Sequence, residues 1–421
     1  MENTFHQQNR QELYARLPAN SLLLLFSGHA PRKTGDEDYP FFADRSFVYY
    51  TGIEQADSVL AALKDTSGVS EMLFMLPPDA HLERWNGRRL RAEEAEERSA
   101  VGDFRSNAGF LPFLEGVINR GVTTVCLDFD QKSIGEQPVR QAFQLTAWLR
   151  KHFPFVRVEN IHDLIRNQRT IKKPCELEAM RRAETITAEG IMAMMRAARD
   201  GIYEYQLKAE FDYALAQHGV LVPGFPSIIS AGRNNFCIHY YGYRGQAHDG
   251  DMILNDVGAC WDNEINDVSR GWPLNGKFSE RQKLLYSCAY NTSQHMFQTL
   301  KPGLLMSHVD QEIRRFNFEQ MRDAGVCSKF EDVGTYIWHG GAHHVGYDVH
   351  DEGNVDGGRR LLEPGMVFCV DVGIYHEEWG IGFRLEDNCL ITADGCENLS
   401  AVTPRSVQDI EDYMSRSAHR G

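Results

Sequence analysis

Short runs of apolar residues alternate with charged segments along the N-terminal part of the chain. Turn-forming residues bound each run, which is typical of buried β-strands. The predicted strands are Ser21–Gly28, Phe47–Ile53, Ser58–Leu63, Glu71–Pro78, Thr123–Phe129 and Phe155–Ile161. The charged segments between them, including Ala92–Ser99 and Pro138–His152, predict helices. Strands that alternate with helices favour an α/β layer architecture.

The pattern changes in a charge-rich stretch around Pro174, where we place a domain boundary. Residues 1–168 form the first predicted domain and residues 169–421 the second. A long amphipathic helix is predicted after Pro174. A second helix is predicted over Tyr205–His218, because apolar residues recur there at i, i+4 and i+8.

From about Phe225 the chain turns to short apolar strands that are broken by glycines. The predicted strands lie in the segments SIISAG (227–232), DMILNDVGA (251–259), MVFCVDVGIY (366–375) and CLITADG (389–395). Two predicted helices, Glu280–Leu300 and His308–Ala324, interrupt them. Helices outside a curved, mostly antiparallel sheet would bury this pattern, which is an α+β arrangement.

Composition narrows the function classes. The 421 residues have a mean hydropathy of −0.42 and a formal net charge of −15. Nucleic-acid and anionic-membrane binding need clustered Lys and Arg, so this charge argues against both. The stretch Met1–Leu17 lacks an apolar signal core, and the nine cysteines form no CxxC pairs. Both features favour a reduced, cytoplasmic protein without a membrane span.

Two acidic residues, Asp256 and Asp267, lie eleven positions apart near the ends of predicted strands. A hairpin between them could bring both carboxylates to one point. They could equally be two solvated acids in a hairpin, and the spacing alone does not decide between these interpretations. The cysteines close to candidate ligands in sequence, Cys260 and Cys389, are interpreted as small buried residues rather than thiolate ligands.

Histidines cluster in the glycine-rich segment WHGGAHHVGYDVHD, at His339, His343 and His350. Neutral imidazole is a good ligand for Mn, Zn or Co, and a free imidazole can move protons or stabilise an oxyanion. We therefore predict a functional site here. In extended structure His344 would face away from His343, so we interpret it as a core or surface residue. His239 is isolated and, taken alone, is more typical of a core histidine.

Arg384 and Glu386 would share one face of a strand, because strand side chains alternate. A cation beside Glu386 would lower the pKa of that carboxyl and keep it ionised for a metal, although a surface ion pair is the alternative. The candidate metal ligands are Asp256, Asp267, His343, Asp371 and Glu386. This hard, oxygen-rich set suits two divalent ions that share bridging carboxylates, which makes metal-assisted hydrolysis the leading hypothesis.

Several segments resemble aminopeptidase P, a group within the pita-bread metallopeptidases. DEDYPFFADRSFVYYTGIEQADSVLAAL and ERWNGRRL are similar to that group's N-terminal domain. NGKFSERQKLLY, HGGAHHVGYDVHD, LEPGMV and GIGFRLEDN are similar to its catalytic domain. The resemblance covers nearly the whole chain. It implies an α/β N-terminal domain followed by an α+β pita-bread catalytic domain.

The resemblance also implies residue roles. Asp256, Asp267 and Glu386 would hold one ion, while Asp267, His343, Asp371 and Glu386 would hold the other. Mn is the usual activating ion in this group, with Zn or Co as alternatives, and a hydroxide between the ions would be the nucleophile.

Further residues match positions around the substrate in the same group. His239 and His350 match histidines that contact substrate and stabilise the tetrahedral intermediate, and His339 matches a third active-site histidine. Arg384 and Tyr375 would support the site. Residues near Phe225, together with His239, Tyr240 and Tyr241, could line a pocket for a proline ring.

Asp371 is where the chain departs from the group, which usually has Val-Glu-Pro-Gly at residues 370–373. The Glu would be both a metal ligand and the general base, and Asp is one methylene shorter. A misplacement of ~1 Å can cost on the order of 100-fold in rate. We favour an adapted backbone with activity retained, which the absence of Pro would permit. A weakly bound second metal, or divergence to another reaction or a binding role, stays open.

The resemblance predicts an enzyme that removes the first residue from peptides with proline second. Prolidase, which cleaves Xaa-Pro dipeptides, is the alternative enzyme, and a catalytically weakened peptide-binding homologue is the alternative from another class. Metal-free C–N hydrolysis of the creatinase type is disfavoured because the acidic ligand set is present. A dimer or tetramer is expected from the group's habit.

Overall fold

The computed structural model describes residues 1–129, 141–351 and 359–418. The chain forms two compact units, Met1–Gln168 and Arg169–Gly421. Among the described residues, none of the helices has both the length and the apolar character that crossing a membrane requires.

A six-stranded mixed sheet forms the N-terminal unit, with strand order β4-β3-β2-β1-β5-β6. Its strands are β1 (Ser21–Phe26), β2 (Val59–Lys64), β3 (Val69–Met75), β4 (Phe104–Ser106), β5 (Thr124–Leu127) and β6 (Arg157–Asn160). The helices that begin here are α1 (Asn3–Arg16), α2 (Arg45–Thr51), α3 (Glu83–Asn86), α4 (Ala92–Ser99), α5 (Phe110–Asn119), α6 (Gln141–His152) and α7 (His162–Thr170). Apolar residues of the sheet pack against those of α5 and α6 to form a buried core. The α/β class predicted for this part is confirmed.

The strand predicted over Phe47–Ile53 is wrong, because this segment is the helix α2. The Asp44 carboxylate accepts a hydrogen bond from the Phe47 N–H at 3.1 Å and begins the helix. Gly52 ends it, with a φ of 66° and its N–H on the Val48 carbonyl. Every residue of α2 is buried. Its mostly apolar sequence therefore shows no helical periodicity that would distinguish it from a buried strand.

The predicted helix Pro138–His152 corresponds to α6, which spans Gln141–His152, and residues 138–140 lie outside the described residues. One helix, α1, was not predicted. It buries Arg10, whose guanidinium binds the Glu71 carboxylate at 2.8 Å and the Tyr50 carbonyl, so a charged residue occupies a core position.

The C-terminal unit combines helices with short antiparallel sheets, so the predicted α+β class is confirmed. Its strands are β7 (Ile228–Ala231), β8 (Met252–Val257), β9 (Cys260–Trp261), β10 (Glu264–Ile265), β11 (Val268–Pro273), β12 (Val367–His376), β13 (Ile381–Ile391) and β14 (Cys396–Asn398). Its helices are α8 (Pro174–Ala197), α9 (Glu204–Gln217), α10 (Glu280–Thr299), α11 (Met306–Asp323) and α12 (Val407–Ala418). The sheets run β11-β8-β7 and β12-β13-β14, with β9 and β10 as a separate ladder.

Polar contacts join the two three-stranded sheets. Ser269 of β11 donates to the Glu386 carboxylate of β13 at 2.9 Å. The buried Arg270 guanidinium binds the Asp387 carboxylate at 2.7 Å and also the Glu386 carbonyl. These contacts fix two hairpins, β8–β11 and β12–β13, against each other, and the candidate ligands lie where the hairpins meet.

Candidate metal centre

The first hairpin positions Asp256 and Asp267. Asp256 lies in β8 and pairs with Ser269, while Asp267 immediately precedes β11. The turn between them needs glycine at position 258, because a Cβ there would lie 1.8 Å from the Asn266 carbonyl oxygen. The two acids therefore lie together in a folded hairpin rather than as separate solvated residues, since both carboxyl groups are mostly buried.

The second hairpin positions Asp371 and Glu386, which are direct partners in the antiparallel pairing of β12 with β13. Cys369 and Asn388 form the pair two residues along and so lie on the same face. The Asn388 side chain accepts from the Asp267 N–H at 3.0 Å and donates to the Asp267 carbonyl at 2.8 Å. This amide links the two hairpins directly at the site.

The histidine segment runs along β12. The Cys369 N–H donates to the His343 carbonyl at 2.8 Å, and the Asp371 N–H donates to the Gly341 carbonyl at 2.9 Å. Two glycines permit this approach. A Cβ at Gly341 would lie 3.0 Å from the Asp371 carbonyl oxygen, and one at Gly373 would lie 2.3 Å from His339 Nε2.

Four side chains converge tightly enough to share one metal ion. Ligand atoms of Asp267, His343, Cys369 and Glu386 all lie within 4.8 Å of one another. His343 Nε2 is 3.3 Å from Glu386 Oε1 and 3.7 Å from Asp267 Oδ2. Asp371 lies beside this group, paired with Glu386 across the hairpin.

Each candidate carboxylate has a buried oxygen that accepts no hydrogen bond, although His343 Nε2 lies 3.3 Å from that of Glu386. These oxygens are Asp256 Oδ1, Asp267 Oδ1, Asp371 Oδ1 and Glu386 Oε1. Burying an unpaired anionic oxygen is costly, so buried charges are normally paired or coordinated to metals. Oxygen ligands with one imidazole fit hard or borderline divalent ions, so the residues present fit a metal centre.

The carboxylates repel one another strongly. Burial raises the pKa of Asp267 well above its ordinary value, and the Glu386 and Asp256 carboxylates raise it further. Burial and the Asp371 carboxylate likewise raise the pKa of Glu386. Burial opposes the charge on His343, but the Glu386 carboxylate outweighs it and raises the pKa of that imidazole. Bound cations would remove this repulsion, because they favour the ionised form of every carboxylate.

Arg384 does not act on Glu386 as expected. Its guanidinium donates to Asp256 Oδ2 at 2.7 Å. Burial alone would raise the pKa of Asp256, but Arg384 overcomes it and lowers that pKa, whereas the pKa of Glu386 is raised. The prediction of a lowered pKa at Glu386 is therefore wrong. Strand alternation places both residues on the site's face but does not reveal which carboxylate lies within reach of the guanidinium.

His339 and Tyr375 extend this network. His339 Nδ1 lies 3.0 Å from Asp371 Oδ2, and its Nε2 lies 3.1 Å from the Tyr375 hydroxyl, which also accepts from Arg384 at 3.0 Å. Burial opposes the charge on His339, but the Asp371 carboxylate outweighs it and raises the pKa of His339 to about 9. Trp338 stacks on Tyr375 with ring centroids 4.5 Å apart.

The remaining predicted residues differ in how close they lie to the centre. The exposed His350 ring lies 4.4 Å from that of His343. His239 is exposed and stacks on Tyr241 with ring centroids 6.5 Å apart. Phe225 is half-buried and packs against an apolar cluster that includes Ile265.

Tyr240 and His344 are directed away from the ligands. The Tyr240 hydroxyl donates to the Glu204 carboxylate at 2.8 Å. His344 is buried against the Val367 carbonyl, as its alternation with His343 predicts.

Three residues of the centre were missed by the sequence reasoning: Ser269, Cys369 and Asn388. Cys369 lies two positions before Asp371, so strand alternation could have placed it on the same face. Asn388 lies two positions after Glu386 and could have been found in the same way. No comparable signal marks Ser269, because its contact with Glu386 depends on how the two hairpins pack.

Comparisons with known proteins identify relatives of both units of the chain. The model of metallopeptidase family M24 matches residues 178–393, and that of the aminopeptidase P N-terminal domain matches residues 6–125. The Xaa-Pro aminopeptidase of Haemophilus influenzae is 30% identical over 97% of this chain and 96% of its own.

Solved structures are similar over the full length. A Bacillus anthracis structure superposes with a TM-score of 0.96 at 32% identity and covers 99% of each chain. A Zn-substituted aminopeptidase P from Escherichia coli, in complex with product, gives a TM-score of 0.89 at 27% identity and also covers 99% of each chain.

Proposed function

The chain belongs to metallopeptidase family M24, and we propose that it removes the N-terminal residue from peptides with proline in the second position. The observation that carries the proposal is the convergence of four carboxylates beside His343, each with one buried oxygen that accepts no hydrogen bond. The relatives named Xaa-Pro aminopeptidase support the substrate class.

Five residues would hold two divalent ions. Asp256, Asp267 and Glu386 would hold one ion, and Asp267, His343, Asp371 and Glu386 would hold the other, so Asp267 and Glu386 would be shared. Manganese is the proposed ion, with Zn or Co as alternatives, since the donor set suits each of them. The ions would supply a hydroxide near neutral pH and polarise the scissile carbonyl.

The chain's own residues orient this chemistry. Arg384 holds Asp256 in place, and Ser269 holds Glu386, so neither carboxylate has to reorganise during the reaction. Asp371 is placed to accept the proton of the attacking water, because its Oδ1 has no partner while its Oδ2 is held by His339.

Two histidines and an aromatic surface would contact the substrate in this proposal, and a third histidine would act through its neighbours. His239 and His350 are exposed, and the His350 ring lies beside that of His343. Both would donate hydrogen bonds to the peptide carbonyl oxygens. His339 acts through Asp371 and Tyr375, which it contacts directly. His239 and Tyr241 offer an exposed stacked surface for the proline ring, and Phe225 and Tyr375 support its walls.

The cellular setting of the protein is proposed from its cysteines and its charge. The nine cysteines form no CxxC pairs, as expected in a reducing compartment such as the cytoplasm. The net charge of −15 argues against nucleic-acid partners. A homo-oligomer, dimer or tetramer, stays a prediction.

The proposal is tested with three matched peptides, Xaa-Pro-Yaa, Xaa-Ala-Yaa and Xaa-Pro, incubated with Mn²⁺-loaded protein and followed by mass spectrometry. We expect release of Xaa from the first peptide alone. Glu386→Gln is the matched control, because it keeps the side-chain shape but removes one bridging charge, and it should abolish release. Cleavage of the dipeptide alone would instead identify a prolidase. Cleavage of none of the peptides would refute both enzyme assignments.

A further inference from the structure

We propose that Cys369 is an additional ligand of this metal centre, on the side of His343 and beside Asp267 and Glu386. The inference rests on the metal centre of the proposed function and adds sulfur coordination to it. Sulfur changes which ions the centre selects and gives the bound metal a distinct spectrum.

The position of the Cys369 thiol meets the distance requirement for shared coordination. Its Sγ lies within 4.8 Å of ligand atoms of Asp267, His343 and Glu386. Ligands held ~2.0–2.3 Å from one ion lie roughly 3.3–3.8 Å apart in a tetrahedral site, so the group would contract around a bound metal. Asp267 and Glu386 are almost fully buried and each directs an unpartnered oxygen into the same space.

The thiol is also oriented for this role. The Asn388 Nδ2 donates to Cys369 Sγ at 3.2 Å, and the same Asn388 is held by the backbone of Asp267. Partners of this kind fix the orientation of a metal ligand and tune its basicity. The Cys369 sulfur is therefore presented as an acceptor rather than packed as an apolar group on all sides.

Asp371 offers the site one free oxygen. Its Oδ2 is engaged by His339 at 3.0 Å, while its Oδ1 has no hydrogen-bond partner. The carboxylate is paired with Glu386 across the hairpin. Cys369 lies on the same strand face two residues earlier and presents a further donor to the site.

Metal binding by a thiol releases a proton. The Cys369 S–H bond breaks, the sulfur electron pair forms the bond to the ion, and the proton leaves to solvent. A bound divalent ion deprotonates a coordinating thiol outright, whatever its state in the metal-free protein. Thiolate favours Zn²⁺ over hard ions such as Mn²⁺.

Cobalt spectroscopy tests the inference without using activity. The metal-free full-length protein is loaded with Co²⁺, bound metal is counted by mass spectrometry, and the near-ultraviolet absorption is recorded. We expect a thiolate-to-Co²⁺ charge-transfer band in the native protein and in Cys389→Ser. Cys389 is the matched control, because it is buried on the adjacent strand and alternation places it on the opposite face.

Cys369→Ser should bind Co²⁺ without this band, since serine keeps an acceptor for Asn388 but removes the sulfur. Its affinity for Zn²⁺ relative to Mn²⁺ should fall by ~10-fold or more. X-ray absorption of the Zn²⁺-loaded native protein needs no variant, and should show a sulfur scatterer at ~2.3 Å.

The outcomes separate this inference from the proposed function. Two bound ions with no charge-transfer band and only nitrogen and oxygen scatterers would overturn Cys369 as a ligand while leaving the metal centre intact. A band that survives Cys369→Ser would also overturn it. Failure to bind any ion would overturn the metal centre and the Cys369 inference together.

Discussion

Each acid of the candidate centre is fixed by a different neighbour. Arg384 holds Asp256, the Asn388 side chain holds the backbone of Asp267, His339 holds Asp371, and Ser269 holds Glu386. Such distinct partners keep four like charges at one point without letting them relax away from it. The arrangement is therefore preorganised for cations and strained in their absence.

Replacing Asp267 should raise the stability of the metal-free protein and lower metal binding and turnover. Asp267→Asn removes a buried carboxylate that is repelled by Glu386 and Asp256, so the metal-free variant should melt at a higher temperature than the native protein. It should also lose metal and at least ~100-fold in turnover, because a bridging ligand is lost. Calorimetry of both proteins in chelator, with metal analysis, checks both effects. A lower melting temperature in the variant would contradict the proposed repulsion.

Lengthening Asp371 should compensate for loss of Cys369. In Cys369→Ser, Mn²⁺ affinity should fall, and adding Asp371→Glu should restore it, because the longer carboxylate reaches the ion that has lost its sulfur ligand. Isothermal titration of the native, single and double variants measures the coupling. Strictly additive effects of the two substitutions would argue against a shared ion.

For individual residues, the sequence predicted which side chains belong to the site better than it predicted which of them contact each other. The acids, His343 and the histidine segment were all identified from motifs, and the structure brings the acids and His343 together. The partner of Arg384 was assigned wrongly, because alternation gives a face but not a distance. Cys369 was overlooked because it lies in an apolar run, where a cysteine is ordinarily a small buried residue.

Two β-hairpins that contact each other position the site. β8–β11 and β12–β13 each present alternate side chains to one side, and contacts from Ser269 and Arg270 link them. Because the pairing register fixes which residues face the site, a one-residue slip would direct every ligand away.

The hydrogen bond from the Phe47 N–H to Asp44 should stabilise helix α2, the segment that was predicted as a strand. Asp44→Ala should remove the hydrogen bond to the Phe47 N–H and destabilise the N-terminal unit by about 1 kcal/mol. Amide hydrogen exchange over residues 45–51 should become faster, while Asp44→Asn, which keeps an acceptor, should stay near the native rate. Equal exchange in the alanine and asparagine variants would show that the cap does not stabilise this helix.

The elements that sequence reasoning found are those with alternating or helical periodicity. α4 spans Ala92–Ser99 as predicted, and α10 and α11 differ from their predicted bounds by one or two residues. Helix α2 was missed because it is buried on all sides and so shows no apolar periodicity. Helix α1 was missed because buried polar residues such as Arg10 interrupt its apolar pattern. Tertiary contacts, absent from a single sequence, decide both.

Across the C-terminal unit, one buried acid makes stability fall as pH rises. Burial raises the pKa of Glu184 to about 8, although Ser400 donates to its carboxylate at 3.1 Å. Between the unfolded pKa of ~4.3 and about 8 the folded state binds the extra proton, so ionisation at higher pH favours unfolding. The contribution is present at low pH and is lost as pH rises through this window.

Glu184→Gln should remove that dependence. The variant should gain thermal stability relative to the native protein as pH rises from 5 towards 8, and the difference should level off above about 8. Melting curves of both metal-free proteins across this pH range give the comparison. A difference that is constant with pH would show that Glu184 ionises with an ordinary pKa in the folded protein.

A two-ion centre that cleaves Xaa-Pro peptides can be tested in a single titration. The metal-free protein is equilibrated with increasing Mn²⁺, and bound ions and release of Xaa from Xaa-Pro-Yaa are measured on the same samples. We predict two ions per chain, with turnover rising as the sites fill, and neither property in Asp267→Asn. Turnover that is undiminished at fewer than one ion per chain, or two bound ions without turnover, would rule out a two-ion peptidase.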